Sequence, residues 1–122
     1  MSDKLKLLYV DDEEMNLLLF EKIFEKKYNI ITAESGMLAL ELLLSHPDTV
    51  VVISDMKMPT MTGIQFIQKA KNKFPNINFF ILTGYDINDE IQEALESNMI
   101  LNYFRKPFNF NEINSAIQKA LE

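Results

Sequence analysis

The chain has 122 residues, of which 48% are hydrophobic and 25% charged, a composition that suits one globular domain and excludes an intrinsically disordered segment. Its 18 acidic and 12 basic residues give a net charge of −6, which excludes the basic surface that direct binding of nucleic acid requires. It contains no cysteine, so disulfides, thiolate nucleophiles and cysteine-based metal centres are excluded as well.

The sequence carries neither a secretory signal pattern at its N-terminus nor an apolar run near the ~20 residues that span a bilayer. A protein without cysteine or a signal peptide is expected in a reducing compartment. We therefore predict one domain over residues 1–122, located in the cytoplasm and not bound to a membrane.

Short apolar runs alternate with stretches of helical period along the chain, which is the pattern of βα units around a parallel sheet. The strands are predicted over residues 5–10, 29–33, 50–54, 77–82 and 100–105. The helices are predicted from residue 13 to about 27, from an N-cap at Ser35 to Ser45, over 63–73, from 87 to about 98, and over 108–121. Right-handed crossovers favour a three-layer, doubly wound α/β fold with strand order 2-1-3-4-5.

Polar residues follow four of these strands, at the sheet edge where a doubly wound fold holds its site. They are Asp11 and Asp12 after the first strand, Asp55 after the third, Thr83 after the fourth and Lys106 after the fifth. Two carboxylates ~5 Å apart repel by roughly 3 kcal/mol at an effective dielectric of about 20, so three of them predict a divalent cation. Oxygen ligands without histidine or cysteine favour Mg²⁺.

A carboxylate beside a cation, an ammonium and a hydroxyl is suited to accepting a phosphoryl group. Asp55 is the predicted nucleophile, which would form an acyl phosphate. Lys106 would neutralise charge on the phosphoryl oxygens together with the metal, and Thr83 would supply a hydrogen bond. The predicted catalytic residues are therefore Asp55, Lys106 and Thr83.

Four segments in order resemble the receiver domain of two-component response regulators, of the single-domain chemotaxis type. The segment VVVISDMKMPTMTG at 50–63 is similar to the phosphoacceptor motif of that family, and YVDDE at 9–13 to its acidic pair. ILTG at 81–84 is similar to the segment with the switch hydroxyl, and YFRKPF at 103–108 to the aromatic and lysine block. The resemblance covers essentially the whole chain and implies a flavodoxin-like (βα)5 fold.

This resemblance implies a phosphoacceptor signalling switch that catalyses only its own phosphorylation and dephosphorylation. Asp55 would receive its phosphoryl group from the phosphohistidine of a sensor histidine kinase. Mg²⁺ would be bound by Asp12, Asp55 and the backbone carbonyl of Lys57, with Asp11 acting mostly through water.

The resemblance also implies how the signal leaves the site. Thr83 and Tyr103 would form a switch pair, in which Thr83 moves toward the phosphoryl group and Tyr103 turns inward. The output face would lie on the fourth helix, fifth strand and fifth helix, where an effector domain or protein would bind. The peptide bond between Lys106 and Pro107 is expected to be cis.

Partners are indicated only in part by the sequence. His46 is the single histidine, so the phosphodonor histidine must belong to another molecule or domain. Residues 17–20, LLLF, cannot all face the sheet from one helix, so we expect an exposed apolar surface there for kinase docking or a homodimer. The cognate kinase, the output, the oligomeric state and the phosphoryl lifetime stay open, as does membership of a multidomain regulator or hybrid kinase.

Two departures from the family pattern lead to expectations of their own. Asn98-Met99 stands where the family has Gly-Ala, and Asn98 is expected to keep a left-handed turn. Lys57 and Tyr85, the second residues after Asp55 and Thr83, would flank the acyl phosphate and exclude the hydrolytic water. Their size predicts slow self-dephosphorylation.

Three other functions are compatible with parts of the pattern. One is a small Mg²⁺-dependent aspartyl phosphotransferase or phosphatase that acts on a metabolite, although every loop here is too short to form a cap over a substrate. Another is a carrier of flavin mononucleotide, which would need a phosphate-binding loop after the first strand instead of acids. The last is a degenerate receiver that binds partners constitutively, against which the intact acidic residues argue.

Overall fold

The computed structural model describes residues 4–122, over which five strands and five helices alternate. The predicted domain also includes residues 1–3, which lie outside the described part. The elements are β1 Lys6–Val10, α1 Glu14–Phe24, β2 Asn29–Ala33, α2 Gly36–Ser45, β3 Thr49–Asp55, α3 Gly63–Lys73, β4 Asn78–Thr83, α4 Asp89–Glu96, β5 Asn102–Arg105 and α5 Phe110–Ala120. No helix within residues 4–122 has both the length and the apolar character needed to cross a bilayer.

All five strands pair in parallel in one sheet of order β2-β1-β3-β4-β5, which confirms the predicted doubly wound fold. In the sheet register Val10 lies beside Ser54, Asp55 beside Leu82, and Thr83 beside Arg105. The carboxyl ends of β1, β3, β4 and β5 therefore meet at one edge.

Two buried clusters cover the two faces of the sheet, because successive side chains of a strand point to opposite faces. The α1/α5 cluster is rich in aromatic rings, while the α2/α3/α4 cluster consists mainly of aliphatic and methionine side chains. The large aromatic members of the first are Tyr9, Phe20, Phe24, Tyr28, Phe80 and Phe104. The methionines of the second are Met56, Met58 and Met61, from the loop between β3 and α3.

Helix α1 has the surplus of apolar residues expected from its sequence. Leu17 and Phe20 are buried against the sheet, whereas Leu18 is 53% and Leu19 51% exposed. An exposed apolar strip on this helix is therefore confirmed, and its partner stays a prediction.

Several helices begin or end elsewhere than predicted, for local reasons. Helix α1 ends at Phe24 instead of near residue 27, because Tyr28 turns back into the aromatic cluster and its N–H donates to the Phe24 carbonyl. Helix α4 begins at Asp89 because the Asn88 side chain caps it by accepting the N–H of Ile91. Asn109 caps α5 in the same way, so that helix begins at Phe110.

The turn after α4 has the predicted left-handed residue. Asn98 has φ 62°, a conformation that asparagine tolerates better than most residues. Helix α4 ends at Glu96, and β5 begins only at Asn102, two residues later than predicted. The substitution of asparagine for the family's glycine is thus compatible with this turn.

The loop between β3 and α3 is tightly fixed at both ends. Thr62 and Gln65 form a capping box, in which each side chain accepts a hydrogen bond from the other residue's backbone N–H. Gly63 packs so closely on the end of β3 that a Cβ there would lie 2.3 Å from the Asp55 carbonyl oxygen. Thr60 has φ 72°, a left-handed conformation that costs a β-branched residue roughly 1–2 kcal/mol.

Candidate functional site

Three carboxylates converge at the carboxyl edge of the sheet. Asp11, Asp12 and Asp55 each offer one oxygen, and these oxygens all lie within 4.8 Å of one another. Asp11 and Asp55 are buried, whereas Asp12 is exposed. The three acidic residues thus lie together, as predicted from their positions at the ends of strands.

Lys106 completes this cluster from the loop after β5. Its Nζ lies 3.2 Å from Asp11 Oδ2 and 3.3 Å from Asp55 Oδ1, so one ammonium bridges two carboxylates. Its backbone N–H donates to the Thr83 carbonyl at 2.8 Å, and the bond to Pro107 is cis, as the resemblance implies. Burial alone would lower the pKa of Lys106, but the Asp55 and Asp11 carboxylates outweigh burial and raise it, so the ammonium stays charged.

Asp55 is destabilised in its ionised form. It is 6% exposed, and its pKa rises from 3.8 to about 6. Burial is the main cause, Lys106 partly opposes it, and the negative charges of Asp11 and Asp12 add to it. Asp55 is therefore mostly ionised at neutral pH, but at a cost that an additional cation would relieve.

Asp11 is saturated by protein donors and is fully buried. Its Oδ2 accepts hydrogen bonds from the Tyr9 hydroxyl at 2.7 Å, from Asn16 Nδ2 at 3.2 Å and from Lys106 Nζ at 3.2 Å. Its Oδ1 accepts the backbone N–H of Glu13 at 3.0 Å. This carboxylate therefore has less capacity left for a metal ion than Asp12 or Asp55.

Tyr9 is a residue of the site that sequence reasoning missed. Its ring stacks on Phe20 at 4.1 Å, and burial together with the hydrogen bond to Asp11 raises the pKa of its hydroxyl, which therefore remains a donor. The available signal was its position two residues before Asp11, because such residues of a strand share a face. Asn16, in the first turn of α1, was missed as well and offers no comparable signal.

An open cleft of about 650 Å³ lies over this cluster, and Asp12, Asp55 and Lys106 line it. Lys57 and Tyr85 also line it from the loops after β3 and β4, and Lys57 Nζ lies 4.8 Å from the centroid of the Tyr85 ring. We call this contact the Lys57–Tyr85 pair. Both side chains are exposed, so the pair lies on the solvent side of the cleft.

Thr83 and Tyr103 do not line the cleft. Thr83 is buried at the end of β4, and its Oγ1 accepts the backbone N–H of Tyr85 at 3.1 Å. Tyr103 is half-buried and packs against the α2/α3/α4 cluster. It pairs with Ile81, two residues before Thr83, so both predicted switch residues lie on the same face of the sheet.

His46 lies far from the acidic cluster, at the other end of the strands. It precedes β3, whereas Asp55 ends β3, so the two residues stand at opposite edges of the sheet. Its Nδ1 lies 3.0 Å from Lys6 Nζ, which also pairs with Asp48. The geometry agrees with a phosphodonor histidine on another molecule or domain.

The acidic cluster fits a small hard cation. Asp12 and Asp55 offer carboxylate oxygens at the cleft, next to open space for water ligands. Mg²⁺ is commonly held by one or two carboxylates and several waters, and it does not need a cage of protein ligands. The donor chemistry of these residues is thus that of a magnesium site.

Comparison with known proteins gives a consistent result. A family model described as the response regulator receiver domain matches residues 7–118. The sporulation initiation phosphotransferase F of Bacillus subtilis (strain 168) is 37% identical over 118 residues, which are 95% of this chain and 93% of that protein. The hydrogenase transcriptional regulatory protein HoxA of Cupriavidus necator is 28% identical over the whole chain, which spans only 25% of that relative.

A solved structure agrees in fold. The response regulator protein TrrA of Thermotoga maritima, in complex with Mg²⁺-BeF, superposes with a TM-score of 0.80 at 30% identity. The match covers 95% of this chain and 98% of that one.

Proposed function

The chain belongs to the response regulator receiver domain family, whose members are phosphoacceptor switches of two-component signal transduction, and we propose that Asp55 is its phosphoacceptor. The observation that carries this proposal is the burial of Asp55 beside Lys106, at 3.3 Å, in a cluster with two further carboxylates. The family's activity is signalling and not metabolic catalysis, and the family model and the relatives named above give no support to the alternative of a metabolite phosphotransferase or phosphatase.

The proposed reaction is one displacement at phosphorus. A carboxylate oxygen of Asp55 forms a bond to the phosphorus of a phosphohistidine as the P–N bond breaks, and the electron pair of that bond returns to the imidazole. The carboxylate must be ionised to attack, which its pKa of about 6 allows at neutral pH. Lys106, already 3.3 Å from Asp55, would then pair with a phosphoryl oxygen.

Mg²⁺ is the proposed cofactor, held by Asp12, Asp55 and the backbone carbonyl of Lys57. When bound, it would neutralise charge on the phosphoryl oxygens. Asp11 would act mostly through water, which agrees with the four protein donors already on its carboxylate. The Mg²⁺-BeF complex of the Thermotoga maritima relative supports this assignment.

Thr83 and Tyr103 are the proposed switch pair. Thr83 ends the strand next to β3, and Tyr103 lies on the same sheet face one strand further out. A movement of the Thr83 side chain toward Asp55 would vacate space on the face against which Tyr103 packs. This arrangement supports an output surface on α4, β5 and α5.

Receiver domains act together with histidine kinases and effector domains. For this chain, the proposed donor is a sensor histidine kinase, and the proposed output partner is an effector domain or protein on the α4, β5 and α5 surface. A homodimer and a cytoplasmic location remain predictions. The second of these rests on the absence of cysteine.

The test of Asp55 is incubation with acetyl phosphate and Mg²⁺, followed by intact-mass analysis. We expect the wild type to gain the mass of one phosphoryl group, and hydroxylamine to remove it, because an acyl phosphate is cleaved by that nucleophile. Asp55→Asn should gain nothing. The matched control is Asp86→Asn, an exposed carboxylate paired with Arg105 outside the cluster, which should be phosphorylated like the wild type. Phosphorylation of Asp55→Asn to the wild-type level would refute the assignment.

The Lys57–Tyr85 pair is expected to lengthen the life of the phosphorylated state. In this proposal, water reaches the acyl phosphate only when the cation–π contact opens. Opening such a contact costs about 1 kcal/mol, so loss of both side chains should speed dephosphorylation about fivefold. The measurement is the decay of phosphoprotein in Lys57→Ala/Tyr85→Ala. These changes leave the backbone carbonyl of residue 57 in place.

Lys69→Ala is the control for this prediction, because Lys69 is exposed on α3 and does not line the cleft. It should decay at the wild-type rate. A double variant that also decays at that rate would show that the pair does not shield the acyl phosphate.

A further inference from the structure

We propose that Tyr9 is a positioning residue for phosphoryl transfer: its hydroxyl shares Asp11 with Lys106 and so leaves the ammonium available to the reacting group on Asp55. The inference rests on the proposed role of Asp55. In this inference the buried hydroxyl affects phosphoryl transfer through Asp11 and Lys106, without touching the phosphoryl group itself.

Tyr9 and Lys106 donate to the same oxygen atom of Asp11. Asp11 Oδ2 accepts the Tyr9 hydroxyl at 2.7 Å and the Lys106 ammonium at 3.2 Å. The hydroxyl is thus the closer donor of the two. An acceptor that already has a short bond from one donor attracts a second donor less strongly.

The Lys106 ammonium lies between two carboxylates. Lys106 Nζ lies almost equally far from Asp11 Oδ2 and Asp55 Oδ1, at 3.2 and 3.3 Å. Its position between these carboxylates depends on how strongly each attracts it. Removing the hydroxyl would leave a buried carboxylate oxygen with less compensation, and the ammonium would shift toward Asp11 and away from Asp55.

Packing of the Tyr9 ring holds its hydroxyl in place. The Tyr9 ring is 1% exposed and stacks on Phe20, which in turn stacks on Phe24 at 4.2 Å. A ring in such a stack cannot turn its hydroxyl elsewhere. Phenylalanine would keep the stack and remove only the oxygen atom, so Tyr9→Phe isolates the hydrogen bond.

The test is a comparison of Mg²⁺ binding with the rate of phosphorylation in Tyr9→Phe. At saturating Mg²⁺ we expect the rate constant for phosphorylation by acetyl phosphate to fall about tenfold, because Lys106 is drawn to Asp11. The dissociation constant for Mg²⁺, measured by calorimetry without phosphodonor, should fall about threefold, because Lys106 then compensates the negative charge of Asp55 less. A merely structural role would raise this constant and leave the rate at saturation unchanged.

The matched control is Tyr28→Phe, which removes the hydroxyl of another buried tyrosine, bonded to Asn114 away from the cluster. It should leave both the rate and the dissociation constant at their wild-type values. Asn16→Ala provides a second variant, because Asn16 donates to the same oxygen at the longer distance of 3.2 Å. It should change both quantities in the same directions as Tyr9→Phe but by less.

The possible failures are distinguishable. If the wild type is not phosphorylated, the proposed function fails. If the wild type is phosphorylated and Tyr9→Phe has the wild-type rate, or binds Mg²⁺ more weakly, only the role of Tyr9 is overturned. Urea unfolding of each variant shows whether it is folded under the assay conditions.

Discussion

Asp55→Asn should make the metal-free protein more stable than the wild type, by about 2 to 3 kcal/mol near pH 8. The folded state raises the pKa of Asp55 from 3.8 to about 6, and a shift of about two units corresponds to roughly 3 kcal/mol. The ionised carboxylate therefore destabilises the fold, and this effect is complete above about pH 6. Asparagine removes the charge, and Lys106 keeps its contact with Asp11.

The pH dependence of this difference follows from its sign. A raised carboxyl pKa means that the folded state binds the proton more readily, so the destabilisation by Asp55 disappears as the pH falls through about 6 toward 3.8. The difference in the free energy of unfolding between variant and wild type should therefore fall to roughly half between pH 8 and pH 5. Urea unfolding at both pH values measures it. A free-energy difference that is the same at both pH values would contradict the electrostatic explanation.

Two controls separate the charge of Asp55 from other effects. Asp86→Asn, at an exposed carboxylate, should change stability by less than about 0.5 kcal/mol at either pH. A fixed excess of Mg²⁺ should stabilise the wild type more than Asp55→Asn, because stabilisation by a ligand of the folded state grows with the logarithm of its concentration divided by its dissociation constant.

Gly63→Ala should destabilise the protein by about 3 kcal/mol or more. A Cβ at this position would lie 2.3 Å from the Asp55 carbonyl oxygen and 2.9 Å from Ile81 Cδ1. The first of these atoms belongs to the backbone of a central strand, which cannot move without disturbing its neighbours. The free energy of unfolding in urea measures the loss, and the rate of phosphorylation should fall with it because Asp55 is displaced.

The other glycines provide graded controls for this clash. At Gly84 the nearest atom to an added Cβ would be Lys106 Cδ, at 3.9 Å, which is an ordinary contact. Gly84→Ala should therefore change stability by less than about 1 kcal/mol. At Gly36 the close atom is Met61 Sδ, in a flexible side chain, so Gly36→Ala should cost less than Gly63→Ala. Equal stability of the Gly63 and Gly84 variants would show that β3 and α3 separate easily.

Much of the fold and of the acidic cluster followed from the sequence because both depend on position along a strand. Period-2 and helical patterns predict βα units, and a residue directly after a parallel strand lies at the common edge. Asp11 and Asp55 therefore could be placed together before any coordinates. Lys106 also followed the end of a predicted strand, and its combination with the acidic residues and Thr83 distinguished it from an ordinary surface lysine.

What the sequence did not indicate depends on side-chain direction and local backbone geometry. The Tyr9 hydroxyl reaches Asp11 only because its ring is stacked, and the Lys57–Tyr85 pair depends on two loops whose shapes have no periodic signal. The left-handed backbone at Thr60 is contrary to its residue type. Helix ends were missed where an asparagine cap lay one or two residues inside the predicted range, as at Asn88.

The unequal composition of the two cores has a mechanical consequence for the site. The face that carries Tyr9 is filled by stacked rings, which have few alternative arrangements. The opposite face receives Met56, Met58 and Met61, whose unbranched side chains can adopt several shapes at little cost. Met58 also lines the cleft over Asp55, so we expect the methionine side chains to rearrange when the volume at Asp55 changes, while the aromatic side chains keep their positions.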